Sequence, residues 1–242
     1  MVKRALILAA GMGNRLGEYT KDNPKCLVEV NGKSILEYQL EALRENGIKD
    51  IVIVVGYKGD KIKDFVKNHK FKNLNIKLVD NKEFESSNSS YSFALASDKV
   101  KDEPYIHLNC DIVFLPSLIK KLIESKYENV IVLDKKIKLS DNMEQVHLEE
   151  DKIIHMQNTL LEGAIGKAAG VAKFSPRNIS WIKKRAERYI AKGDKNQNYY
   201  GIIREAVKHL DFYGLDPGDE TLFEVNSVDD LEKAKELLNS VS

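Results

Sequence analysis

Gly11, Gly13, Arg15 and Lys25 stand close together near the start of the chain, within ALILAAGMGNRLGEYTKDNPK at 5–25. Their types suit one kind of chemistry. Glycines let backbone N–H groups approach an anion without a Cβ in the way, and the cations add mobile positive charge beside them. The apolar run 5–10 reads as a buried strand that breaks abruptly at the glycines. Strand, glycine turn and cations together make a phosphate-binding loop. A dinucleotide fingerprint would need a third glycine where Leu16 stands, and Gly17 comes one place late. A Walker-type loop would need glycine where Leu27 stands, ahead of Gly32, Lys33 and Ser34. The loop belongs to neither type.

A carboxylate is placed to serve the same ligand. YIHLNCDIVF at 105–114 reads as an apolar strand ending in Asn109, Cys110 and Asp111, which sets Asp111 at the carboxyl edge of a sheet. An aspartate in so apolar a setting is costly to bury unless it is paired or holds a metal, and the preferred reading is a Mg²⁺ carried by a triphosphate. Asn88, Ser89 and Ser90 precede an apolar helix through Tyr91, Phe93, Ala94 and Leu95. They are either base-edge or phosphate hydrogen-bonders at a helix N-terminus, or a solvated loop with a good N-cap. His69, His107, His147, His155 and His209 have no ligand spacing and read as structural or surface residues; Trp181 reads as core.

The elements that must position these residues alternate between apolar runs and helical segments. Ser34 with Glu37 reads as a capping box opening a helix with Leu36, Leu40 and Leu43 on one face, closed by Asn46 and Gly47. Strands follow at 51–55 and 76–79, with a helix at 59–68 between them. Such alternation implies right-handed crossovers and a mostly parallel sheet, with ligands at the carboxyl ends of its strands. Beyond a helix from Pro116 and a strand at 130–134, short pieces at 145–149 and 153–156 read as antiparallel additions. Gly163, Gly166 and Gly170 around Lys167 mark a small-residue strand beside which a ligand can lie close to backbone. Helices are expected at 178–192 and 198–210, then a strand at 223–225 and a last helix capped by Ser227 with Asp230.

Composition sets the outer bounds. The 242 residues are 43% hydrophobic and 31% charged, and 38 Lys and Arg against 37 Asp and Glu leave a formal net charge of +1. That balance gives no general reason to expect nucleic acid or a membrane as partner, so phosphate binding must be local. Cys26 and Cys110 have no metal-knuckle spacing and are too few for a disulfide framework. With no stretch of membrane-span length and an N-terminal apolar run shorter than a signal segment, a cytoplasmic protein is expected.

LAAGMGNRL at 8–16 followed by NPKCLVEVNGKSILEYQLEAL at 23–43 resembles the N-terminal signature of the sugar-phosphate nucleotidyltransferase superfamily. VGYK at 55–58, the segment 88–92, Cys110 with Asp111, and FEVNSVDDL at 223–231 extend the resemblance over almost the whole chain. Short length and the closing strand make it most similar to phosphocholine cytidylyltransferases of the bacterial choline-incorporation type, whose relatives act on 2-aminoethylphosphonate. No left-handed β-helix repeat stands within the 242 residues, so a bifunctional acetyltransferase form is not expected. The resemblance implies one nucleotidyltransferase domain over 1–242, a Rossmann-like α/β/α sandwich (α/β class) with a mostly parallel central sheet and small antiparallel additions. Its core would be about 1–135 and 210–242, with an acceptor-binding part at about 136–209.

The resemblance assigns roles residue by residue. Leu8, Ala9, Ala10, Gly11 and Gly13 match the cradle for base, ribose and triphosphate; Arg15 and Lys25 match the cations facing the phosphates; Asn88 and Ser89 lie in the segment near cytosine and acceptor. Asp111 matches the Mg²⁺ aspartate. The family's closing strand carries an acid, one residue and a second acid, which here reads Glu224, Val225 and Asn226, with one negative charge fewer. The implied activity joins CMP from CTP to a small phosphorylated or phosphonate acceptor and releases pyrophosphate. Tyr91, Tyr199, Tyr200 and Glu162 are candidates to hold a quaternary ammonium or amine, although paired tyrosines that open an amphipathic helix, as Tyr199 and Tyr200 do, are more often packing residues. Lys135 and Lys136 are candidates for the acceptor phosphate or a solvated turn. The partners are then CTP and this acceptor, with neither nucleic acid nor membrane, and homodimerisation stays open. Two other readings stand beside this one. A sugar-1-phosphate nucleotidyltransferase using UTP or TTP lacks its expected Pro-x-Gly base loop after Phe84. A non-catalytic nucleotide-binding regulatory subunit is favoured by Asn226 and opposed by Arg15, Lys25 and Asp111.

Overall fold

The computed structural model describes residues 2–69, 71–220 and 222–239. In chain order, β1 (Arg4–Ala9) leads through the glycine loop and a short hairpin to α1 (Ile35–Glu45), then β2 (Asp50–Val55), α2 (Gly59–His69), β3 (Asn75–Asp80) and α3 (Ser89–Ser97). Next come β4 (Tyr105–Asn109), β5 (Ile112–Phe114), α4 (Pro116–Glu124), β6 (Val130–Asp134), β7 (Gln145–Glu149), β8 (Lys152–Gln157) and β9 (Gly166–Phe174). The chain continues through α5 (Pro176–Ala191), α6 (Tyr199–Ala206), β10 (Tyr213–Leu215), β11 (Leu222–Glu224) and α7 (Val228–Asn239).

Local chemistry explains the starts of the helices. The Ser34 side chain accepts from the Glu37 N–H at 3.2 Å, Asn198 caps α6 through the Tyr200 N–H at 2.8 Å, and Ser227 and Asp230 exchange the two bonds of a capping box. The expected helix at 198–210 stops at Ala206, and its last residues form turns.

Nine strands form one sheet in the order β3-β2-β1-β4-β9-β6-β10-β8-β7. β3, β2, β1 and β4 are parallel, as the alternation requires. β9 then runs antiparallel to β4 and β6, so the antiparallel strands are built into the main sheet. Both faces of the sheet are covered. Ala5, Ile7 and Ile53 pack with Leu36, Leu40, Ile62 and Leu118 on one side; Leu6, Leu8 and Val54 pack with Phe93, Ile182 and Tyr199 on the other. This is why β1 and β2 are near-continuous apolar runs, and it makes the layers helix, sheet, helix.

β1 is flanked by β2 on one side and β4 on the other, so the strand order reverses there and a crevice opens at their carboxyl ends. Leu8 pairs with Asn109, which brings the glycine loop after β1 beside Cys110 and Asp111 after β4. β11 pairs antiparallel with β5, placing Glu224 opposite Ile112 at the same edge. Gly170 sits at a bulge in β9 with φ +72, a backbone conformation that favours glycine, and a Cβ there would come within 2.7 Å of the Asn109 side-chain amide, which would have to swing aside.

His107 on β4 is fully buried, with its ring stacked on Tyr199 at 4.3 Å and Nδ1 without a hydrogen-bond partner. Burial lowers its pKa to about 3, so it stays neutral in the folded chain. The unfolded chain takes up the proton near pH 6.5 and the folded chain does not. Stability should therefore fall as pH drops below about 6.5, by up to about 1.4 kcal/mol per pH unit from this residue. Denaturant titrations across that range should show a shallower pH dependence in His107→Gln than in the unsubstituted protein.

Candidate active site

The crevice is a cleft of about 870 Å³ that takes Leu8 from β1, Ala10, Gly11, Gly13 and Arg15 from the glycine loop, Asp111 from the turn after β4, and Glu224 and Asn226 from the end of β11 and the residues just past it. Gly13 adopts φ +66, and a Cβ there would press against the Lys25 side chain at 3.0 Å. The glycine is therefore needed both for the turn and for room for the lysine.

Lys25 is the centre of the site. It is only 8% exposed, and its Nζ donates to Asp111 Oδ2 and to Asn226 Oδ1, each at 2.7 Å. Arg15, exposed at the mouth, donates to the same Asn226 oxygen at 2.6 Å. The Asn226 amide then donates to Glu224 Oε1 at 2.6 Å, and Lys167 pairs with the other Glu224 oxygen. Burial alone would raise the Glu224 carboxyl; Lys167, with help from Asn226 and Lys25, outweighs it and holds the group below its usual range. An aspartate at 226 could not make the bond to Glu224, so the carboxamide joins the cations to the acid through its two ends.

Backbone contacts fix this constellation. Gln39 on α1 is fully buried and donates to the carbonyls of Asn109 and Ile112 at 2.8 and 2.9 Å, clamping the turn that carries Asp111. The Val225 N–H donates to the Asp111 carbonyl at 2.8 Å, so the two acid-bearing segments are tied directly. Cys26 and Cys110 lie side by side as free thiols, the buried Cys26 raised well above its usual range by its hydrogen bond with Cys110 and by burial. Among the described residues no group of three or more His, Cys, Asp or Glu side chains is arranged to hold a metal. The oxygens of Asp111, Glu224 and Asn226 nevertheless suit a hard divalent cation, and Asp111 Oδ1 is buried with no hydrogen-bond partner.

The other expected residues divide. Asn88 and Ser89 line the cleft; Asn88 caps α3, and the Ser89 hydroxyl accepts from the Tyr199 N–H at 2.8 Å. Tyr199 reaches the cleft edge, but its ring is locked into the core beside Phe93 and His107 with its hydroxyl on Tyr105 at 3.0 Å. Tyr200 lines the cleft. Ala9 is buried on the opposite face of β1. Tyr91 donates to Glu83 outside the cleft, Lys135 is paired with Asp216 at 2.8 Å, and Glu162 is exposed on the loop before β9; none of them lines the cleft. Lys167 and Glu144 line it and were not singled out as ligands. A lysine in a strand of small buried residues is the signal that pointed to Lys167; nothing local distinguishes Glu144.

A sheet whose strand order reverses beneath a glycine loop, with cations and acids interleaved at that point, defines a nucleotide-handling transferase. Residues 5–149 match the MobA-like NTP transferase domain, and the chain belongs to that family. Across 98% of the chain and 99% of the relative it is 28% identical to the choline-phosphate cytidylyltransferase of Streptococcus pneumoniae. The CTP:phosphoglutamine cytidylyltransferase of Campylobacter jejuni is 37% identical over 136 residues, about half of each chain. In fold, the chain is similar to the inositol-1-phosphate CTP transferase from T. maritima, with a TM-score of 0.81 at 24% identity over 99% of this chain and 96% of that one. No described helix is long and apolar enough to cross a membrane.

Asn226→Asp replaces the amide that bonds Glu224 with a second acid facing the same space. Titration with Mn²⁺ followed by electron paramagnetic resonance should show several-fold tighter binding than in the unsubstituted protein; unchanged binding would remove position 226 from the cation site.

Proposed function

We propose that the chain is a cytidylyltransferase that joins CMP from CTP to a small phosphorylated or phosphonate acceptor and releases pyrophosphate. The observation that carries this reading is the convergence of Arg15, Lys25 and Lys167 on Asp111, Glu224 and Asn226 at the mouth of the glycine loop. The full-length similarity to a choline-phosphate cytidylyltransferase supports the choice of nucleotide and acceptor class.

The chemistry follows from the charges. An acceptor phosphate oxygen attacks the α-phosphorus of the nucleotide in line, the bond to the bridging oxygen breaks, and pyrophosphate leaves with the electron pair. Two anions must be brought together, so the task is positioning and charge neutralisation, with no protein nucleophile. The N–H groups of the loop at 11–13 face the triphosphate. Arg15 and Lys25 neutralise it, and Lys167, which reaches the same space from β9, is offered as the cation for the acceptor phosphate. Asp111, Glu224 and the Asn226 oxygen would hold a divalent cation, Mg²⁺ by its preference for oxygen ligands, which when bound neutralises further charge on the phosphates. Asn88 and Ser89 are offered as contacts to the base.

Pyrophosphate release should be measured with each of CTP, UTP, TTP, ATP and GTP in the presence of a divalent cation, against amine-bearing phosphates, aminoethylphosphonate and hexose 1-phosphates. CTP with an amine-bearing acceptor should give the highest kcat/KM. A higher value for UTP or TTP with a hexose 1-phosphate would overturn the reading.

A further inference from the structure

The far end of the cleft bears on which acceptor is used, an inference that rests on the cytidylyltransferase reading above. Glu144 lines the cleft on the segment just before β7. Its Oε2 is buried and takes part in no hydrogen bond, and the side chain as a whole is 17% exposed. Arg204 on α6, outside the cleft lining, brings its Nε to 3.5 Å from that oxygen, which attracts the charge without making the bond. Burial raises the Glu144 carboxyl above its usual range, and the charge of Arg204 offsets only part of that. Asp141, exposed on the same segment, adds a second acid to this end.

Tyr200 belongs to the same cleft. The residue is 5% exposed, lines the cleft, and its hydroxyl makes no hydrogen bond, the Gly170 backbone lying near it without suitable geometry. Burial, and then the charge of Glu144, push this hydroxyl far above its usual range, and Glu224 contributes as well. Tyr200 therefore feels the charge of both acids across the cleft that all three line.

Two buried oxygens that lack donors are costly until a ligand supplies N–H groups. A quaternary ammonium has none to give. Its methyl groups would cover both oxygens and leave them dry and unpaired. A primary ammonium brings three donors and a charge opposite to that of Glu144. We infer that this end of the cleft binds a primary ammonium group of the acceptor, with Glu144 as its charged partner and Tyr200 as a second hydrogen-bond partner. Glu144 is then a specificity-determining residue, and the substrate class is a phospho- or phosphono-compound ending in –NH₃⁺ in preference to one ending in trimethylammonium.

The test is an N-methylation series measured with CTP: phosphoethanolamine, its monomethyl and dimethyl derivatives, and phosphocholine. In the unsubstituted protein kcat/KM should fall along the series, by roughly tenfold or more from the first member to the last, chiefly through KM. Glu144→Gln keeps the shape and removes the charge, and should collapse the ratio of the two end members towards one, an effect that general loosening of the fold would not produce. Phosphocholine used as well as phosphoethanolamine by the unsubstituted protein overturns this inference and leaves the CTP reading intact. If no member of the series releases pyrophosphate from CTP while a different nucleotide and acceptor do, the parent reading fails and this inference with it.

Discussion

A buried ammonium cannot stand alone, and Lys25 is where this structure meets that constraint. Its charge is taken out of water and shared between Asp111 and Asn226. Desolvating a lysine is costly unless such partners are close and well directed. Lys25 and its two partners come from three distant parts of the chain, so the segments carrying them must meet with little freedom. The reversal of strand order at β1 supplies one meeting and the β5–β11 pairing supplies the other. Gln39 and the Val225 N–H remove the remaining slack around Asp111.

Asn226 follows from the same constraint. With Arg15 and Lys25 both donating to its oxygen, its amide is left to face Glu224, which Lys167 also holds. The cations are therefore in place before any phosphate arrives, each satisfied by a group that a phosphate oxygen can replace. Charge stabilisation of this preorganised kind needs no large rearrangement at the moment of reaction. Among these partners the second acid expected from the family pattern is absent, and three cations face two carboxylates across the carboxamide.

Much of this was legible in the sequence where the information is local. The break from apolar strand to Gly11 and Gly13, the aspartate ending β4, and the Glu224-Val225-Asn226 strand with its capped helix each lie in one short stretch, and each stands where its motif places it. What was not legible depends on pairing between distant segments. β10 is three residues long and is a strand only because β6 and β8 lie on either side of it. Lys167 enters the cleft because β9 crosses to β4, and Glu144 because its segment pairs with β9, neighbours that no periodicity in 163–170 announces. Tyr199 and Tyr200 are adjacent and both reach the cleft from the core, yet only the Tyr199 hydroxyl finds a partner, on Tyr105, since successive helix residues point in different directions. Lys135 and Glu162 had plausible types and sit outside the cleft, one paired with Asp216 and the other exposed.

The central claim is that these side chains act by holding and neutralising phosphates, so that transfer from the nucleotide to the acceptor is direct. The stereochemical course at the α-phosphorus tests it most closely, with a single diastereomer of the α-phosphorothioate analogue of CTP as substrate and the configuration of the product assigned by phosphorus NMR. Direct in-line attack predicts inversion. Retention would require an intermediate on the protein and would contradict the account.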